Sequence, residues 1–404
     1  MREQFIEPAE ILGYLLAAFW VMRLWRGLWR DVAFGTLNTG ALYWFFFHGQ
    51  GRASAPAFLG YLGLVAFQYL TLRLFAKRGG SLPWLAFLTP ILALVIIRYV
   101  PVSVPHEKAL RLYPYTALFV GISYLAFRSS YIVLEIRNGA VPVPGFFRYI
   151  GFCFFLPTIP VGPINPYANH LRAFDAKPPS IPSGRAWMRI LVGLVKYKFI
   201  GNIFFQMTYV NLLADDHYHS WIDLPVAMVF YYLFLYCNFS GFCDMAIGAA
   251  GLIGVPVAEN FYNPFAGRNV KDFWNRWHIT LSTYMRDVVF APLSKFLVRL
   301  GSPAMANHAI ALTIVVVFLL VGIWHGVGWN FAAFGAAHAL GVVANHYYTL
   351  FLKKRLGRDG FKAYNSNRWI HAVAVALTFC YCAASLFLFA NTIPEMKQIF
   401  SILK

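Results

Sequence analysis

A chain of 404 residues that is 59% hydrophobic and only 12% charged is not an ordinary soluble domain, in which about a quarter of residues carry charge. A mean hydropathy of +0.57 over this length requires many membrane spans of about 20 apolar residues each, not one anchor. The net charge of +18 would suggest nucleic acid in a soluble protein, but here Lys and Arg fall in short runs between apolar segments. That spacing suits topology and contact with the headgroups of a lipid bilayer, and it speaks against a nucleic-acid partner.

Taken in order, apolar runs recur at about 8–22, 32–48, 57–75, 83–99, 110–127, 146–161, 186–212, 222–253, 306–325, 329–351 and 369–391. These eleven hydrophobic segments predict an all-α polytopic membrane protein, folded as one domain over 1–404. Glu3, Glu7 and Glu10 precede the first run, and Arg23, Arg26 and Arg30 follow it. That is the reverse of a signal peptide, so the first helix is expected to stay. Run 146–161 is short and contains Pro157 and Pro160, which predicts a broken or re-entrant element. The Pro-rich stretches Pro157 to Tyr167 and Pro178 to Gly184 read as loops.

The basic loops Arg23 to Arg30, Arg73 to Arg78 and Lys353 to Arg358 are expected in the cytoplasm. Gly49 to Pro56 and Asp215 to Asp223, poor in Lys and Arg, are expected outside. Both termini then fall outside a bacterial cytoplasmic membrane, and the end of run 306–325 points outward. The segment 277–294 cannot cross once. It must dip into the membrane or lie along it.

Chemistry concentrates in Asp272 to Asp287, DFWNRWHITLSTYMRD, and in Gly-Ile-Trp-His-Gly at Gly322 to Gly326. A cluster this polar in a chain this apolar points to a protein interior or a water-filled cavity. His325 has an ordinary reading, a ring satisfied by a neighbouring carbonyl. Its place at a run end, flanked by Gly322, Gly326 and Gly328 and by Trp324 and Trp329, favours a shielded general base instead. Asn275 and His278, three apart, would share a helix face, as would Asp272 and Arg276 four apart. The ordinary reading there is an amphipathic interfacial helix, with Phe273, Trp274 and Trp277 in the acyl boundary. Ser282 belongs to the same segment, and Arg286 and Asp287 read as a local ion pair. Asp244 lies inside an apolar run beside Asn238 and Ser240, which makes it a candidate by default. His338 and His346, eight apart, read most simply as lining a core or cavity.

The cysteines, Cys153, Cys237, Cys243, Cys380 and Cys382, sit in apolar runs with no metal-ligand company, so neither a disulfide framework nor a metal site is expected. No P-loop, GxSxG, HExxH or paired CxxC occurs.

The order NFSGFCDMAIG (238–248), PVAENFYNPFAGRNVKDFWNRWHITLSTYMRD (256–287) and GIWHG (322–326) resembles the membrane-bound O-acyltransferase family. The SGxxDMAIG and WHGxxWNF stretches are similar to the alginate O-acetyltransferase branch, and FWNRWH to the D-alanyl-lipoteichoic acid branch. The motifs cover about a quarter of the chain, while 1–110 is similar only in hydropathy. Many members have an aromatic after the residue matching Asp287, where this chain has Val288. The resemblance implies tilted helices around a thin core with cytoplasmic and outer funnels, and a motif-bearing core at 238–351. It matches the family's invariant His to His325 and its second motif residue to His278.

The activity expected is transfer of an acetyl or D-alanyl group from a cytoplasmic thioester, on an acyl carrier protein or acyl-coenzyme A. The acceptor is expected outside: an extracytoplasmic polymer, an exopolysaccharide, or a secreted or periplasmic relay protein. His325 takes the proton of the attacking hydroxyl, and His278 and Asn275 steady the oxyanion. Arg268, Lys271 and Arg276 attract an acidic donor. Trp274, Trp277, Trp324 and Trp329 are suited to line the passage. No bound cofactor is expected. The rival reading is a transporter or channel with a His/Asp path through His325, Asp244 and Asn238, against which stands the lack of internal repeats.

Overall fold

The structure is a computed structural model that describes residues 8–48, 54–78, 82–103, 121–175, 183–209 and 219–403. The start of run 110–127, most of Gly49 to Pro56, Pro178 to Pro182 and Asp215 to His217 fall outside these. Among the described residues every regular element is helical and no strand forms. Four helices among the described residues are long and apolar enough to cross a membrane, at Ser54–Leu74, Asp223–Ile253, Pro303–His325 and Arg368–Ala390.

The helices are α1 (Pro8–Leu24), α2 (Gly27–Phe46), α3 (Ser54–Arg78), α4 (Leu82–Ser103), α5 (Ile122–Arg137), α6 (Phe146–Cys153) and α7 (Tyr167–Arg172). Then come α8 (Ser183–Leu194), α9 (Asp223–Ile253), α10 (Val270–Trp274), α11 (Ile279–Met285), α12 (Ala291–Leu300), α13 (Ala306–His325), α14 (Trp329–Ser366), α15 (Arg368–Ala390) and α16 (Ile393–Ile402). Two of the expected runs differ in extent. The run beginning near 186 continues from α8 through a π-turn at Val195–Ile200 and ends at Phe205. Run 329–351 continues as α14 to Ser366, broken at Gly357, whose φ of 64° only glycine adopts without strain.

The chain forms two compact units, 1–193 with 242–258, and 194–241 with 259–404. In the first, a core of Phe34, Phe155, Phe174 and Ile253 packs around irregular backbone between α6 and α8. Run 146–161 is broken as expected, into α6 and a 3-10 turn at Leu156–Thr158. Exposed backbone polar groups are costly in hydrocarbon, and here buried side chains meet them. Arg128, 1% exposed, donates to the Phe152 and Thr158 carbonyls at 2.9 and 3.1 Å. Glu135 accepts from the Tyr167 and Ala168 amides at the start of α7, at 2.8 and 2.9 Å. Asp31 and Arg148 pair at 2.9 Å.

In the second unit α13 and α14 pack closely at two glycines. A Cβ on Gly322 would stand 2.3 Å from the Phe331 carbonyl, and one on Gly335 2.4 Å from that of Phe318. Such small residues let helix backbones approach where lipid offers no hydrophobic drive. This contact fixes the end of α13, and with it His325.

Gly335→Ala should therefore destabilise the protein by about 1–3 kcal/mol through overpacking, read as a lower unfolding temperature in detergent. Gly13→Ala, on α1 with nothing within 4 Å of the added Cβ, should leave it unchanged. Equal behaviour of the two would show that the α13–α14 contact is not tight.

Candidate functional site

The polar segment is not one helix. The helix α10 ends at Trp274, Asn275 caps it, and α11 starts after His278. His278 sits in the left-handed region, with φ 46° and ψ 51°. Non-glycine residues there are uncommon and point to surroundings that hold them. The expected common helix face of Asn275 and His278 is therefore absent, because the helix breaks between them.

What holds the break is a strand-like pairing from eighteen residues upstream. Tyr262 donates its amide to the Arg276 carbonyl at 2.9 Å, and Ile279 donates to the Asn260 carbonyl at 3.0 Å. The Asn260 side chain completes it. Its Oδ1 accepts from the Thr280 amide at 3.2 Å and the Thr280 hydroxyl at 2.9 Å, and lies 3.1 Å from His278 Nδ1. An atom receiving an amide N–H is an oxygen, so His278 Nδ1 carries the proton and donates. The other ring nitrogen, Nε2, is then a bare lone pair. It is buried and has no hydrogen-bond partner. A neutral His278 held this way accepts a proton. In this tautomer the nitrogen that is left open, Nε2, presents a lone pair and not a proton.

His325 is the last residue of α13, as its run end suggested. Its ring is bounded by rings of Trp324, Phe389 and Phe334, with centroids 4.5, 5.0 and 6.1 Å away. Trp324 also faces His278 at 6.1 Å. One indole thus stands against both imidazoles. The loop that follows tolerates no side chain at Gly326, where a Cβ would meet the Phe331 ring at 2.1 Å.

A cavity of about 600 Å³ opens beside this segment, lined by Lys271, Trp274, Asn275, Ser282, Arg286, His346 and Lys353 among others. The lining includes no carboxylate. Ser282 donates to the Trp274 carbonyl at 2.9 Å. Trp277 is buried against Phe261, Phe273 and Tyr232 at 5.0, 5.5 and 5.8 Å.

Arg276 pairs with Asp272 at 3.0 Å, the expected i,i+4 pair. Arg286 and Asp287 form the expected local pair at 2.9 Å. Arg268 lines a separate crevice of about 900 Å³ with Tyr364, Trp369 and His371. Asp244 lies in the first unit, where Arg189 pairs with it at 3.0 Å. Trp329 opens α14 and is 81% exposed. Asn260 and Thr280 escaped the sequence reading. Their one signal was the polar pair Glu259-Asn260 in the stretch PVAENF, preceding the polar segment.

Residues 84–387 match the membrane-bound O-acyltransferase family. A teichoic acid D-alanyltransferase of Streptococcus thermophilus is 31% identical over 69% of this chain and 69% of its own length. A peptidoglycan O-acetyltransferase of Helicobacter pylori is 29% identical over 52% of this chain and 39% of its own. The probable alginate O-acetylase AlgI of Azotobacter vinelandii is 27% identical over 54% and 42%.

Asn260→Ala strands three donors, each at a cost of about 1–3 kcal/mol, and frees the His278 ring. Acyl transfer by the purified protein should fall at least about tenfold. Asn260→Asp, which keeps an acceptor oxygen, should retain most of it. A wild-type rate in Asn260→Ala would show that the orientation of His278 does not matter.

Proposed function

Because this chain belongs to the membrane-bound O-acyltransferase family, and is an integral membrane O-acyltransferase, we propose that it carries an acetyl or D-alanyl group from a cytoplasmic thioester to a hydroxyl outside. The acceptor is a cell-envelope polymer or a protein that relays the group to one. The observation that carries this reading is the pair of imidazoles against one indole, with Asn275 and Ile279, on either side of His278 in sequence, bordering a cavity whose lining carries Lys271, Arg286 and Lys353 and no carboxylate.

In the reaction the acceptor oxygen attacks the thioester carbonyl, and its proton passes to His325. The tetrahedral oxyanion collapses, the C–S bond breaks, and the thiolate recovers the proton. The amide of Asn275, on the cavity wall, is the donor assigned to the oxyanion. His278, whose Nε2 accepts, is assigned to the proton path. Phosphate-bearing donors, a phosphopantetheine carrier or coenzyme A, are anionic. Lys271, Arg286 and Lys353 suit them, and Arg268 and Arg276 add to the attraction from outside the cavity. The basic loops support a cytoplasmic donor side, with both chain ends outside the bacterial inner membrane.

His325→Ala should abolish transfer, a loss of about 100-fold or more for a general base, with insertion and purification normal. Near wild-type turnover in that variant would remove His325 from the mechanism. Lys271→Glu should raise the donor KM, and the effect should shrink with added salt because screening acts over about 8–10 Å. A salt-independent loss would point to folding instead. For sidedness, a cysteine probe at Asn269 should label only from the cytoplasm and one at Gly328 only from outside. Labelling of both from one face would overturn the donor and acceptor sides.

A further inference from the structure

His338 lies on α14, thirteen residues beyond His325, and is 1% exposed. It does not line the 600 Å³ cavity, yet both its ring nitrogens are engaged. Trp274 Nε1 stands 3.1 Å from Nδ1, and Ser385 Oγ stands 2.9 Å from Nε2. Ser385 Oγ also lies 2.8 Å from the Cys382 carbonyl.

The roles in this chain of bonds are forced. An indole nitrogen only donates, so Nδ1 accepts. A neutral ring with a bare Nδ1 carries its proton on Nε2, and Nε2 donates to the serine oxygen. A carbonyl only accepts, so the serine proton goes to Cys382. Every bond runs one way, from Trp274 through His338 and Ser385 to the backbone of α15. A protonated His338 would turn an N–H toward the indole N–H and break the first link.

Trp274 is the side chain at the inner end of this chain, and it lines the cavity. It is 7% exposed, and its N–H is given to His338 Nδ1. It is also the last residue of α10, and its carbonyl holds Ser282 across the break that carries His278. We propose that His338 is a positioning residue for acyl transfer: as a neutral ring protonated on Nε2, it holds the Trp274 indole against α14 and α15 and so shapes the donor cavity. The inference rests on that cavity being where the acyl donor binds.

The test contrasts shape with hydrogen bonding. Asparagine at 338 places an oxygen near the position of Nδ1 and can accept from the indole. Phenylalanine fills the ring volume and cannot. With purified protein in proteoliposomes, kcat/KM is measured for D-alanyl-carrier thioester and for acetyl-coenzyme A, using whichever the wild type consumes. His338→Asn should stay within about threefold of wild type, while His338→Phe, which leaves a buried donor unpaired, should lose at least about tenfold. A packing role predicts the reverse order, and Phe equal to or better than Asn overturns the inference. If His338→Phe does not purify folded, His338→Leu takes its place in the comparison. Trp274→Phe with His338→Phe should be no worse than Trp274→Phe alone, since nothing is then left to hold; multiplied losses overturn the inference. The indole N–H resonance of Trp274 in ¹⁵N-tryptophan-labelled protein supplies a reading independent of the donor. It should move in His338→Phe and stay in His338→Asn. An unmoved resonance in His338→Phe overturns the inference even if the wild type consumes neither thioester, a result that would count against the donor assignment alone.

Discussion

A helix that breaks inside an apolar protein leaves amides and carbonyls that lipid cannot satisfy, and the candidate site depends on how one such break is met. Between Trp274 and Ile279 the backbone turns through a left-handed His278. Asn260 makes this conformation tenable, with its carbonyl taking the Ile279 amide and its side chain taking the Thr280 amide and hydroxyl. Without that partner the turn would cost both the strain of a non-glycine left-handed residue and the acceptor of those three donors. Reactive geometry and backbone satisfaction are here one requirement.

The same economy decides proton positions. Groups that can only donate, the Thr280 amide and the Trp274 indole, stand at one end of each hydrogen-bond chain. They leave the imidazoles no choice of tautomer. His278 is left with Nε2 bare, and His338 with Nε2 protonated. His325 differs from both, being bounded by the rings of Trp324, Phe334 and Phe389 at the open end of a helix. The place of His325 at a helix end suits a group that must exchange a proton with substrate.

Cations divide in a comparable way. In the first unit Arg128, Arg148 and Arg189 serve carbonyls and carboxylates of irregular or apolar segments. Buried charge of that kind is tolerated only when paired or hydrogen-bonded. In the second, Lys271, Arg286 and Lys353 border a cavity whose lining includes no carboxylate. The first set is structural. In the second Arg286 is paired with Asp287, and Lys271 and Lys353 supply the positive field for an anionic ligand.

Much of this was legible in the sequence, for physical reasons that are local. Hydropathy is a property of consecutive residues, so the helices at 223–253, 306–325 and 368–390 were readable within a residue or two. So were the broken run at Pro157, the place of His325 at a helix end, and the ion pairs of Asp272 with Arg276 and Arg286 with Asp287, whose partners are at most four residues apart. What only the tertiary structure decided involves partners far apart in sequence. Helical periodicity put Asn275 and His278 on one face, but the break between them is imposed by Asn260, eighteen residues upstream. Asp244 looked like a functional carboxylate because its run is apolar, and the ion pair it makes comes from Arg189, fifty-five residues away. His338 read as a core histidine until Trp274, sixty-four residues before it, and Ser385, forty-seven after it, fixed its tautomer. Periodicity carries information over a few helical turns. The direction of a hydrogen bond between distant side chains exists only once the helices have packed.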